Sequence, residues 1–196
     1  MSVKQNKVNP ALLGMFTAIT VVLQLLSYAI KIGTFNLSLV LIPIVLAAVL
    51  YGPKYGAVLG AVFGVVVTLA SAFGLDAGGN VLFQSAPILT SLVCILKGAF
   101  AGLFAGLIAT PLKNKNIYLA VMLAAIIAPV TNTGLFVASM FIFFKDTLTV
   151  WAGGTDIVYY AIVGLVGINF IIELIINIAL SPAVLRVTKA VQKIIK

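Results

Sequence analysis

The sequence of 196 residues contains no histidine, one cysteine and four acidic residues. Without histidine, and with Cys94 as its single thiol, the chain lacks the usual ligands of zinc and transition-metal sites. The same shortage excludes an intramolecular disulfide and a histidine-dependent catalytic triad. No Gly-x-x-x-x-Gly-Lys-Ser/Thr phosphate loop is present either. We therefore expect no metal, no cofactor and no enzymatic activity in this chain.

Charge is also scarce, because only 8% of the residues are charged while 63% are hydrophobic. Soluble domains carry about 25% charged residues, so the composition predicts an all-α integral membrane protein. Residues 1–10 contain Lys4 and Lys7 but no small-residue cleavage site, and we expect no cleaved signal peptide. The net charge of +8 could indicate nucleic acid, but its distribution favours membrane topology and no nucleic-acid partner.

The hydrophobic runs predict one six-helix membrane domain over residues 1–196. A helix needs about 20 apolar residues to cross the bilayer. The second run is short, since 15 residues give roughly 22 Å of helix, and it contains Pro43. The predicted helices cover about 11–30, 37–51, 54–73, 87–110, 117–144 and 156–181, followed by a basic cytoplasmic tail at 182–196.

Lysine and arginine set the predicted orientation, because cytoplasmic loops are enriched in both. The opposite side holds only Lys31 and Lys145. Both termini are therefore predicted to be cytoplasmic. The cations assigned to the cytoplasmic side are Lys4, Lys7, Lys54, Lys113, Lys115, Arg186, Lys189, Lys193 and Lys196.

Glycine recurs every fourth residue in the third and fourth predicted helices. Such ridges let two helix backbones approach closely in lipid, and we expect them to pack against neighbouring helices. Ala11, Gly14 and Ala18 form a similar small face on the first helix, which could serve internal packing or a partner helix. The ridge glycines are Gly52, Gly56, Gly60 and Gly64, and Gly98, Gly102 and Gly106.

Polar side chains at membrane depth are candidates for function, because a charge there costs about 2.5–3.5 kcal/mol. Lys97 and Glu173 are the charged ones. Counting 1.5 Å per residue from the outer edge places Lys97, Asn132 and Asn169 roughly 15 to 18 Å deep. Glu173 lies one turn below Asn169. The sequence therefore predicts a polar pocket in the outer half, walled by the last three helices.

Two interpretations of the charged residues remain open. Lys97 and Glu173 could form a buried ion pair that only joins two helices, although such a pair is weak evidence for stability. Alternatively they line a ligand cavity, in which Lys97 faces an anionic group. Thr131 and Asn132 follow Pro129, so they could bind the ligand or satisfy backbone groups freed by the proline.

The outer loops are predicted to cover this pocket. The candidate contacts there are Phe35 and Asn36 in the first loop and Asn80 and Gln84 in the third. Trp151, in the fifth loop, is either an interfacial anchor or part of a lid.

Several segments resemble a known family, the substrate-binding S components of energy-coupling factor (ECF) vitamin transporters. They are Phe35–Leu39 followed by Ile42-Pro43, Leu50–Gly56, and Ala128–Gly134. The resemblance extends over essentially the whole chain. It implies a multi-pass protein of the bacterial plasma membrane that captures a vitamin or precursor from outside. It also implies docking on a transmembrane coupling subunit (EcfT-type) with two cytoplasmic ATPases (EcfA-type), and toppling to release the cargo.

The resemblance also implies positions for two sites. The family's Ala-x-x-x-Ala coupling contact falls on Gly14-x-x-x-Ala18, and its substrate site falls on the predicted pocket. The chain looks nearest to the pantothenate-type members, and Lys97 would suit a carboxylate ligand, although Glu173 offers an internal partner.

Other functions remain open. Aromatic residues could instead stack hydroxymethylpyrimidine, pyridoxine or another vitamin. A stand-alone secondary transporter or channel that uses Lys97 and Glu173 is a further alternative, as is a scaffold without a ligand. The aromatic residues in question are Phe35, Phe83, Trp151, Tyr159 and Tyr160.

Overall fold

The computed structural model describes residues 10–28, 31–32, 35–36 and 39–195, with backbone only for 31–32, 35–36 and 192–195. In this part of the chain the fold is all-α apart from one hairpin, in which β1 (Lys31–Ile32) pairs antiparallel with β2 (Phe35–Asn36). The helices are α1 (Pro10–Ser27), α2 (Leu41–Tyr51), α3 (Pro53–Ala72), α4 (Ala77–Ser85), α5 (Pro87–Leu112), α6 (Ile117–Phe143), α7 (Lys145–Ala152), α8 (Ile157–Tyr159) and α9 (Gly167–Ile195), with a π-helix at Tyr160–Leu165.

The expected class, an all-α membrane protein, is confirmed. Within the described residues, α1, α3, α5, α6 and α9 are long and apolar enough to cross a membrane. A sixth crossing is reached if α7 is combined with α8 and the π-helix, which are bent by 96° relative to it.

Helix α2 occupies the centre of one half of the bundle. Its 11 residues give about 16 Å of length, roughly half of the hydrocarbon thickness. Every α2 residue except Ile42 is buried, and α1, α3, α5, α6 and α9 all contact the helix. Pro43 is tolerated because it lies in the first turn, where its missing N–H would have no helical partner.

The position of the C-terminal end of α2 shows which half of the bundle the helix fills. Gly52, at the turn into α3, faces the Thr110 hydroxyl near the last turn of α5. We call this end of the bundle, predicted to be cytoplasmic, the inner end. Because α2 reaches only about halfway from there, the outer half of the bundle has no central helix.

The glycine ridges bring α3 and α5 into backbone contact, as expected. A Cβ on Gly60 would overlap the Gly98 carbonyl group, and one on Gly56 would overlap Gly102. Nearer the outer end, Gly64 meets the backbone of Cys94 in the same way. Only glycine permits this approach, which fixes the rotation of α5 about its axis.

Three segments are more helical than the sequence indicates. The outer loop after α3 contains α4, and the loop after α6 contains α7. The last helix does not end near Ser181 but continues through Pro182 to Ile195. Val184, Thr188 and Val191 are buried at helical spacing, so packing against the bundle outweighs the hydrogen bond that the proline removes.

Candidate functional site

A cavity lies in the outer half of the bundle, in the space that α2 leaves unfilled. Its walls come from α1, α3, α5, α6 and the segment from the π-helix into α9, and α4 contributes Gly79 and Leu82. It contains about 870 Å³ of empty space, a volume that includes its open mouth. The walls therefore include α1 and α3 in addition to the three helices expected from the sequence.

The residues predicted from membrane depth meet at this cavity. Lys97 from α5, Asn132 from α6, and Asn169 and Glu173 from α9 all line it. Thr131 is half-buried and not among the lining residues, whereas its neighbour Thr133 is. Asn132, Thr133 and Phe136 lie on the side of α6 that faces the cavity, since residues four apart are one helical turn apart. Thr131 lies on a different side of the helix.

Three of the predicted loop contacts are not among the residues that line the cavity. Asn80 donates a hydrogen bond from Nδ2 to the Ser71 carbonyl group at 2.7 Å, and this bond ties α4 to the end of α3. Gln84 is exposed on α4. Trp151 packs at the edge of a small core formed around Leu148. These side chains belong to the outer segments α4 and α7 and are not part of the cavity lining.

Phe35 and Asn36 lie in β2, which contacts α4. Their side chains are outside the described part of the structure. The hairpin and α4 are neighbours at the outer end, where the sequence predicts a cover.

The Lys97 ammonium lies over an aromatic ring. Its Nζ atom is 5.0 Å from the centroid of Phe136, a cation–π distance. A helical side chain leans towards the N-terminus of its helix, which for α5 is the outer end, and Phe136 lies in that direction. The contact described for Lys97 is therefore with this ring rather than with the Glu173 carboxylate.

Two carboxylates line the same cavity as Lys97. Glu173 and Asp76 are each 7% exposed. Asp76 directly precedes α4 at the outer end, whereas Glu173 lies one turn deeper along α9 than Asn169. Asn177, one turn further, is buried and donates to the Glu173 main-chain carbonyl at 2.8 Å.

Asn132 presents an unsatisfied acceptor. The residue is 7% exposed, and its Oδ1 atom has no hydrogen-bond donor among the described residues. Leaving a buried polar atom unpaired costs about 1–3 kcal/mol. Since Oδ1 belongs to a side chain that lines the cavity, a ligand with an N–H or O–H group could supply the missing donor.

Several lining residues are absent from the site expected from the sequence. Gln24 of α1 and Thr90 of α5 are buried polar residues of the wall. Tyr28, just beyond α1, also lines it, and burial raises the pKa of its hydroxyl to about 12, so that the group stays protonated. Gln24 could be recognised from the sequence as a polar residue at membrane depth. Its place in the cavity wall could not be predicted, because the sequence does not show which helices α1 packs against.

Much of the wall is apolar and aromatic. Lys97 and the polar groups are interleaved with phenylalanine rings that could pack against the hydrophobic part of a ligand. The rings come from four different segments of the chain. They are Phe63, Phe136, Phe144 and Phe170.

The predicted coupling face lies on the outside of the bundle. Ala11, Gly14 and Ala18 are all exposed on α1, and a Cβ on Gly14 would have no atom within 4 Å. The face is flanked by exposed Met15 and Ile19. Internal packing therefore does not account for the small residues.

The family model for the substrate-specific component of ECF transporters matches residues 10–185, which is most of the chain. No individual curated protein matches at a significant level.

Proposed function

Because the chain belongs to the substrate-specific components of ECF transporters, we propose that it binds a water-soluble vitamin or precursor in the outer cavity. Membership makes it a membrane-embedded transport subunit rather than an enzyme, with a small molecule as its substrate. It also implies that the chain works with a transmembrane coupling subunit and ATPases. The observation that carries the proposal is the cavity, in which a cation, an unsatisfied amide and aromatic rings face the same space.

Pantothenate is our preferred substrate. Its carboxylate would face Lys97, whose described contact is a ring rather than an acidic group. Its amide N–H, a few ångströms from the carboxylate, could donate to Asn132 Oδ1. Its dimethyl group would pack against the phenylalanine rings, as apolar groups do in ligand pockets.

Pyridoxine and hydroxymethylpyrimidine form the second candidate class. Both are flat heteroaromatic molecules that could stack between rings such as Phe63 and Phe136. They carry no carboxylate, so they leave Lys97 without an anionic partner in the ligand. The two classes therefore differ in how strongly binding depends on Lys97.

The small face of α1 supports a docking role. Gly14 and Ala18 would let a helix of the coupling subunit approach closely, as small residues do in lipid. Gln24 lies on the same helix and lines the cavity. Ten residues separate Gln24 from Gly14, which is about 15 Å along the axis.

A thermal-shift panel tests the proposal. Detergent-purified protein would be heated with pantothenate, pyridoxine, hydroxymethylpyrimidine and other water-soluble vitamins, each at the same concentration. A ligand at 100 times its Kd stabilises the native state by about 2.7 kcal/mol, so the substrate should raise the Tm clearly. We expect the largest shift with pantothenate. No shift with any vitamin would contradict the proposed function, and a shift with pyridoxine alone would reassign the substrate.

A further inference from the structure

We propose that Thr90 is a ligand-binding residue at the outer end of the cavity, and that the ligand is elongated. One end, anionic or a hydrogen-bond acceptor, faces Lys97, and the other end forms a hydrogen bond with the Thr90 hydroxyl. This inference rests on the proposed function, because it assumes that the cavity binds a small molecule.

The Thr90 hydroxyl differs from its neighbours in having no partner. Helical serine and threonine hydroxyls commonly donate to the carbonyl group four residues earlier. In α5 itself, Ser91 donates to Pro87 at 2.7 Å and Thr110 donates to Gly106 at 2.7 Å. Thr90 Oγ1 forms no such bond within the described residues, although the side chain is only 2% exposed.

A suitable carbonyl group is nevertheless within reach of Thr90. The backbone N–H of Thr90 donates to the Ala86 carbonyl at 2.9 Å, which is the usual acceptor for a threonine hydroxyl at this position. The hydroxyl is not directed to that acceptor, and Thr90 lines the cavity. An unpartnered, buried hydroxyl in a cavity wall is suited to bind a polar group of the ligand.

The position of Thr90 on α5 gives the length of the ligand. Thr90, Cys94 and Lys97 are spaced i, i+4, i+7 and all line the cavity, so they share one helix face. Seven residues separate the Cα positions of Thr90 and Lys97, which is about 10 Å along the helix. A ligand that contacts both residues must carry polar groups at both ends of a chain of that order.

Asn132 adds a requirement near the end of the ligand that faces Lys97. Its Oδ1 atom is an acceptor without a donor in the described part of the chain. On the depth estimate Asn132 is level with Lys97, so the ligand needs an N–H or O–H close to its acidic end. The ligand class is therefore a slender acid with an amide or hydroxyl near the carboxylate and a hydroxyl at the far end.

Calorimetric titration with pantothenate tests this assignment on the full-length purified protein. The variants are T90V, which removes the hydroxyl, T90S, which keeps it, and T20V as the matched control. Thr20 is also buried with an unpartnered hydroxyl, but it is not among the residues that line the cavity. The Tm of each ligand-free protein is measured alongside the Kd.

We expect T90V to weaken pantothenate binding by about three- to tenfold, the range for loss of one neutral hydrogen bond. T90S and T20V should bind within about twofold of wild type. T90V should not lower the ligand-free Tm, because its hydroxyl has no intramolecular bond to lose. A pantothenate analogue without the hydroxyls of its pantoyl end should bind wild type more weakly than pantothenate does. The same analogue should bind T90V and wild type with equal affinity.

Two results separate failure of this inference from failure of the proposed function. If T90V binds pantothenate as tightly as wild type, or loses only ligand-free stability, the assignment of Thr90 is wrong while the vitamin-binding function stands. If wild type binds none of pantothenate, pyridoxine and hydroxymethylpyrimidine, the proposed function fails, and the assignment of Thr90 fails with it.

Discussion

Lys97 is retained in an apolar helix because it faces a cavity rather than lipid. A lysine at the bilayer centre costs about 2.5–3.5 kcal/mol on insertion scales. The ring of Phe136, 5.0 Å from the ammonium, offsets part of that cost, since a cation–π contact contributes about 0.5–2 kcal/mol. The ring does not neutralise the positive charge, so an anionic group of the ligand can still be attracted to it.

Replacing Lys97 with Met should abolish the preference for an acidic ligand. Met keeps much of the length and apolar character of the side chain, so folding should be intact. The Kd for pantothenate should rise at least tenfold, because a hydrogen bond to a charged group contributes about 1.5–3 kcal/mol. Titration with pantothenate and with pantothenol, which has an alcohol in place of the carboxylate, measures the effect.

The control is Lys145→Met, which removes an exposed cation at the start of α7, away from the cavity wall. This variant should bind both compounds as wild type does. Lys97→Met should bind them with nearly equal affinity. If Lys97→Met misfolds or retains full preference for pantothenate, Lys97 has a structural role instead.

Depth alone predicted four polar residues of the cavity wall but not the residues at its outer end. Lys97, Asn132, Asn169 and Glu173 could be found because polar groups are rare in lipid and helix length converts directly into depth. Thr90 could not be found, since a threonine near a helix end is unremarkable until its missing hydrogen bond is seen. Its proposed role depends on the rotation of α5 about its axis, which only packing against neighbouring helices determines.

The contact between α3 and α5 is the most sensitive element of the fold. Gly60→Ala would place a methyl group against the Gly98 carbonyl and force the two helices apart. We expect this variant to lose about 3 kcal/mol of unfolding free energy, at the upper end for overpacking. The Tm of the detergent-purified protein measures the loss.

Gly134→Ala is the matched substitution, because its added Cβ would have no atom within 4 Å. It should leave the Tm unchanged or raise it slightly, since alanine is the better helix former. Equal stability of the two variants would show that the glycine ridge does not control the packing of α3 on α5.

The exposed face of α1 should be required for assembly but not for ligand binding. Gly14→Leu adds a bulky side chain on the surface proposed to meet the coupling subunit, where the structure leaves it room. We expect co-purification with the coupling subunit and ATPases to fall at least fivefold, while the Kd for the ligand stays within twofold.

Ala138→Leu, at an exposed position of α6, is the control for added bulk on the membrane-facing surface. It should assemble normally. If Gly14→Leu assembles as well as Ala138→Leu, the docking face lies elsewhere on the protein.

Helices α1, α3, α5 and α6 were predictable within a few residues, but the bounds of α9 and the irregular elements were not. Helices α3, α5 and α6 follow from long, mainly apolar runs bounded by proline or polar turns. Helix α4 begins in a Gly-rich stretch that the sequence predicts to be a loop, and its packing compensates for the weak helix propensity of glycine. The extension of α9 depends on buried contacts of Val184 and Thr188, which no local signal identifies.

At the scale of the whole molecule, the short helix α2 explains why a cavity exists. It fills only the inner half of the bundle, so the outer half contains space that is walled mainly by the long helices. A full-length helix at this position would occupy that space with its own side chains.

The single cysteine allows the central claim, that the substrate occupies this cavity, to be tested without mutagenesis. Cys94 lines the cavity between Thr90 and Lys97. The measurement is the rate at which a small methanethiosulfonate reagent modifies Cys94, with and without pantothenate or whichever vitamin stabilises the protein. We predict that the ligand slows modification at least tenfold, with a concentration dependence that matches its Kd. An unchanged rate at a saturating, stabilising concentration would show that the ligand binds elsewhere.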